Sequence, residues 1–95
     1  QGRKLAPLAS KVWRIAARSQ AVGRNLKSLQ PRIPVAVFRE LHGRWEQNNT
    51  QLTLLEILLK ASKDKSDEEI QALQAKVDLL ERENEEIERL ANLYG

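Results

Sequence analysis

From position 70 onward an apolar side chain returns every three or four residues: Ile70, Leu73, Val77, Leu80, then Asn84 in an otherwise apolar place, then Ile87, Ala91 and Tyr94. A spacing that alternates three and four puts all of these on one stripe of an α-helix, and no strand can do so. In heptad terms Ile, Val, Asn and Ala occupy a while Leu, Leu, Ile and Tyr occupy d, so residues 70–94 read as a leucine-zipper-like coiled-coil strand. The interface positions are Ile70, Leu73, Val77, Leu80, Asn84 and Ile87. Ser66 followed by Glu69 gives the start of this helix a capping box, with Asp67 and Glu68 in the favourable first turn.

Two further amphipathic segments precede it. Leu8, Val12, Ile15, Val22, Leu26 and Leu29 repeat the same spacing, with Ser19 in the missing place and Pro7 suited to a first helical position. The stretch Gln30-Pro31-Arg32-Ile33-Pro34 ends that helix, because a residue before proline is pushed out of the α region. A second stripe follows: Phe38, Leu41, Trp45, Asn48, Leu52, Leu55 and Leu59, widened near its end by Leu54, Ile57 and Leu58. So broad a stripe is expected to be buried against two neighbours. No β-branched run alternates with polar residues, so no sheet is expected.

The second and third stripes have matching lengths, 28 residues (34–61) and 27 (67–93), or about 40 Å each at the helical rise. Paired antiparallel, they keep register throughout, with Leu59 on Ile70, Leu52 on Val77, Asn48 on Leu80, Trp45 on Asn84 and Phe38 on Ala91. A continuous helix through 62–66 is the competing arrangement, since that linker has neither Gly nor Pro. The hairpin is favoured because a capping box inside a continuous helix would be idle. Its weak point is Asn84, which faces Trp45 and needs another polar partner. In a parallel homodimer Asn84 would instead meet its own copy and fix the register. The expectation is therefore an all-α chain: a basic N-terminal amphipathic helix (1–33) followed by a long antiparallel helical hairpin or coiled coil (34–95).

Charge divides the chain. Residues 1–46 hold ten Lys or Arg against Glu40 and Glu46, whereas residues 47–95 hold six against eleven acids, and no acid precedes Glu40. A stripe of cations without neighbouring acids is what phosphate neutralisation requires. The candidate nucleic-acid contacts are Arg3, Lys4, Lys11, Arg14, Arg18, Arg24, Lys27 and Arg32, with RNA favoured and DNA possible. Trp13 is expected to pack on a neighbour, and the glutamates of the last helix to form a solvated face.

Without cysteine there are no disulfides or thiolate sites. His42 and Glu46, one turn apart, read as a surface ion pair, and no metal or cofactor is expected. No nucleophile and base are set in a recognisable order, so the chain is not expected to be an enzyme. No apolar run reaches the roughly 18 residues of a membrane span. The order of basic helix then zipper is that of basic-zipper DNA-binding proteins, but Trp13 stands where their base-reading asparagine would be, and Pro31 and Pro34 break the continuous helix they need.

The chain opens on Gln1 and contains no methionine. A processed or partial chain is therefore expected, with a first segment compositionally like an organelle-targeting sequence. The expected function is that of a non-enzymatic structural subunit of a large intracellular ribonucleoprotein, a mitochondrial ribosome being one that fits the acid-free start and small size, with the coiled coil docked on protein subunits. The alternatives are a homodimeric zipper-type DNA-binding regulator and a protein-only adaptor of a membrane-associated complex.

Overall fold

A computed structural model describes residues 2–61 and 65–95, with side chains from Leu5 onward. Three long helices account for nearly all of it: α1 (Gly2–Leu29), α2 (Val35–Ala61) and α3 (Asp67–Asn92), with a single 3-10 turn, Gln30–Arg32, between the first two. The described part measures 48 × 18 × 16 Å. The chain is all-α, and among the described residues there are no strands.

Each boundary has a local cause. Gln30, Pro31 and Arg32 tighten into the 3-10 turn, closed by the Ile33 amide donating to the Gln30 carbonyl at 3.1 Å. Ile33 itself is extended (φ −97°, ψ 132°), as a residue before proline must be. At the start of α3 the Ser66 hydroxyl accepts from the Glu69 amide and the Glu69 carboxylate accepts from the Ser66 amide, both at 3.1 Å. This completes the capping box and makes α2 and α3 a hairpin instead of one helix. The expected linker residues 62–64 lie outside the described residues. Helix α1 begins earlier than Pro7, which lies in its second turn. Only the bond back to residue 3 is forgone there.

The α2–α3 register is the expected one: Asn48 Nδ2 donates to the Leu80 carbonyl at 3.0 Å, and Arg44 bonds Glu83 at 2.8 Å. Sequence reading set residues 1–33 apart as a basic arm, but they supply the third helix of the bundle. One cluster joins Leu5, Leu8, Val12 and Ile15 of α1 to Leu52, Leu55 and Leu59 of α2 and to Ile70 and Val77 of α3. A second, at the other end, joins Leu26 and Ile33 to Leu41 and Ala91. Contacts between α1 and α3 keep a constant offset (Lys11 to Asp78, Asn25 to Asn92), so these two helices run parallel, with α2 antiparallel to both.

Small residues let α1 approach α2 closely. Ala9, Ala16 and Gly23 recur at seven-residue spacing on one flank, and the third of these is the most constrained. A Cβ at Gly23 would lie 2.5 Å from the Trp45 ring, so the glycine is a notch for that indole. Trp45 is thereby turned toward α1, where its Nε1 donates to the Ser19 carbonyl at 2.7 Å. It does not face Asn84 as the pairing scheme had it.

Between the two apolar clusters lies a polar layer. Ser19, Asn48 and Asn84, one from each helix, are all buried. Asn48 Nδ2 donates to Asn84 Oδ1 at 2.7 Å, Asn84 Nδ2 donates to the Ile15 carbonyl at 3.2 Å, and the Ser19 hydroxyl bonds Asn49 Oδ1 at 3.0 Å. Among the described residues no buried side-chain nitrogen or oxygen lacks a partner. A buried amide left unmatched would cost roughly 1–3 kcal/mol, so any register shift that separates Asn48 from Asn84 is penalised.

Candidate nucleic-acid interface

The eight cations named from sequence separate into groups once α1 is packed. Lys11 and Arg18 stand on the flank facing α3. Lys11 Nζ bonds Asp78 Oδ1 at 2.6 Å with Glu81 at 3.9 Å, and Arg18 Nη2 reaches both oxygens of Glu88 at 2.7 and 2.9 Å. The hydrogen bond that Lys11 donates to Asp78 raises the Lys11 pKa above its usual value and lowers that of Asp78. The acids that the N-terminal segment lacks are thus supplied by α3. Part of the chain's charge division, through Lys11 and Arg18, is internal complementarity between parallel helices.

Arg14, Arg24, Lys27 and Arg32 are exposed. At 100° per residue Arg14 and Arg24 point away from the core, and Lys27 lies on the edge of that outward half of α1. Arg32 is exposed on the 3-10 turn, and Arg39 is exposed one turn into α2. None of these five has an acidic partner within 4 Å among the described residues. The side chains of Arg3 and Lys4 lie outside the described residues. Arg39 was missed in the sequence reading, since it falls past the proline break; its signal was its position before the first acid, Glu40.

Between α1 and α3 runs a cleft of about 410 Å³, walled by Lys11, Arg14 and Arg18 on one side and Glu81, Glu85 and Glu88 on the other. Ile15 and Asn84 also line it. Its mixed lining matches a groove bridged by ion pairs, with no single sign of charge to attract a polyanion into it. Trp13 is 65% exposed and lies along the α1–α2 groove beside Ala16, Glu56 and Lys60, so the expected packing on a neighbour is only partial.

The zipper positions are all turned inward. Ile70, Val77, Asn84 and Ile87 are buried and Leu73 and Leu80 half-buried, with α1 and α2 as their partners. Asn84 therefore meets Asn48 of its own chain, not a second Asn84. His42 Nδ1 stands 3.4 Å from Glu46 Oε1, with its ring between those of Phe38 and Trp45. Among the described residues no three His, Cys, Asp or Glu side chains gather as a metal site, and no helix is long and apolar enough to cross a membrane. No protein-family model, curated protein or solved structure matches this chain.

Proposed function

We propose that the protein is a non-enzymatic structural subunit of a large intracellular ribonucleoprotein assembly, and that it contacts RNA phosphates through the outward face of α1. The observation that carries this reading is that Arg14, Arg24, Lys27 and Arg32, spread over the outer half of α1 and the turn after it, are exposed and have no acidic partner within 4 Å among the described residues. A rigid helix bearing unpaired cations suits backbone contacts that position a subunit without reading sequence. Lys11 and Arg18, already engaged by α3, contribute less. A mitochondrial ribosome is the particular assembly we favour, because a small helical chain with no acid among its first 39 residues suits a place among RNA phosphates. The zipper-type DNA regulator is less well supported, as its dimer seam is the core of a single chain.

Deleting residues 1–32 would remove one wall of the core, so charge reversal is the better test. The variant Arg14→Glu, Arg24→Glu, Lys27→Glu, Arg32→Glu alters only exposed side chains. The wild-type protein is expected to bind RNA with an affinity that falls linearly, on logarithmic scales, as salt rises, at a slope of about −0.7 per neutralised phosphate for single strands. The variant is expected to lose that binding with an unchanged helical circular-dichroism spectrum. Equal binding by both, or none by the wild type, would remove the proposal.

A further inference from the structure

The fold makes full use of only one of the two tryptophans. Trp45 fills the Gly23 notch and donates its Nε1 proton to the Ser19 carbonyl. Trp13 is 65% exposed, and among the described residues its indole has neither a hydrogen bond nor a ring contact. The exposed part of that ring contributes nothing to the bundle, since burial of apolar area is what stabilises. Two grooves between α1 and α2 border it, about 360 Å³ beside Leu59 and Lys60 and about 320 Å³ beside Ala17 and Thr53. Glu56 and Lys60, one of each sign, stand near it and leave that end of α1 without net charge.

Trp13 also opens a row. Trp13, Ala17, Gln20, Arg24 and Lys27 are all exposed and follow one another by four, three, four and three residues, which sets them along a single stripe of α1. The stripe is about 21 Å long at the helical rise. It contains no acid, and it has the indole at one end and two cations without acidic partners at the other. Gln20, between them, bonds Asn49 of α2 at 3.1 Å.

We propose that the RNA met by α1 is single-stranded, and that Trp13 stacks on one of its unpaired bases while Arg24 and Lys27 hold phosphates further along the same strand. This rests on the phosphate-contact reading above. A duplex keeps its bases stacked on one another and offers a side chain phosphate, sugar and groove edges, so the indole finds a stacking partner only where bases are free. An aromatic platform beside a positive track is the arrangement that binds single strands with little sequence preference. An anionic lipid surface is less well matched, because the stripe holds no aliphatic side chain larger than alanine to enter the acyl boundary beside the indole.

The test is titration of the full chain at low salt with a short oligouridylate and with an RNA duplex of equal phosphate number. Trp13→Ala is expected to weaken oligouridylate binding by roughly 5- to 150-fold and to leave duplex binding and the helical spectrum unchanged. Trp13→Phe, which keeps a ring, is expected to retain most of the affinity while losing the fluorescence quenching that oligouridylate causes in the wild type. Oligouridylate binding that Trp13→Ala leaves intact overturns the stacking while the salt-dependent phosphate contacts stand. Equal loss of strand and duplex in that variant overturns it too. A wild type that binds neither RNA removes both readings, and if that protein binds phosphatidylserine vesicles and Trp13→Ala does not, the row faces lipid instead.

Discussion

Two stretches of α2 less than three turns apart invert the usual distribution of polar and apolar residues. At Asn48 an amide is buried in the centre of the bundle, while at Leu54, Ile57 and Leu58 large aliphatic side chains face outward. The buried amide is stabilising only while its partner, Asn84, is opposite, so it acts as a register device. These outward aliphatic side chains contribute little to the monomer, since burial of apolar area is what stabilises. One stretch specifies how the chain meets itself; the other leaves its apolar side chains at the surface.

The contrast is broken most forcefully within a single run of residues. Leu52→Ala, at a position fully buried between the helices, is expected to cost about 2–5 kcal/mol in urea unfolding. Ile57→Ala, five residues on, is expected to change monomer stability by less than about 0.5 kcal/mol. Equal costs would mean that α2 is covered on its outer side within the monomer.

The next effect sharpens the role of the amide layer. Asn84→Leu strips Asn48 of its side-chain partner and frees the Ile15 carbonyl, so a loss of about 1–3 kcal/mol is expected. The double variant Asn48→Leu with Asn84→Leu removes both polar groups and is expected to be at least as stable as the wild type. Were the double variant less stable than Asn84→Leu alone, the layer would be a source of net stability and not of register.

The smallest effect lies at the rim of that layer. Arg44's hydrogen bond holds the Glu83 carboxyl below its ordinary 4.5. A group with a depressed folded pKa stabilises fully above its unfolded value, and the contribution fades as pH falls through the folded one. The melting temperature of Glu83→Gln is therefore expected to fall less steeply than the wild type's as pH drops below about 4.5. Parallel curves would show that the ion pair adds nothing to the acid response.

Much of this architecture is legible in the residues. The three-four spacings, the proline break and the Ser66/Glu69 box lead to the three helices and to a hairpin in the observed register. What spacing does not carry is the third helix's destination. The series Leu8, Val12, Ile15, Val22 shows that α1 has a buried face, yet nothing local says whether that face meets this hairpin or another protein. The eye is drawn to its charge, whose partners lie almost seventy residues away on α3. The Gly23 notch had a signal that was available, the seven-residue recurrence of Ala9, Ala16 and Gly23. The breadth of the stripe at 52–59 was visible too: α2 meets two neighbours as expected, α1 and α3, but both cover the same half of it, and Leu54, Ile57 and Leu58 stay exposed.

The parallel course of α1 and α3 has a mechanical consequence. With three helices in alternating direction, the chain enters beside Leu5, near Leu59 and Ile70, and leaves at Gly95, beside Leu29. Tension applied through those two points runs along the 48 Å axis and makes neighbouring helices slide past one another. To yield, the whole buried seam must slip at once, including the Asn48–Asn84 layer midway. Anything attached at one end is therefore held by a strut at a fixed distance from anything attached at the other.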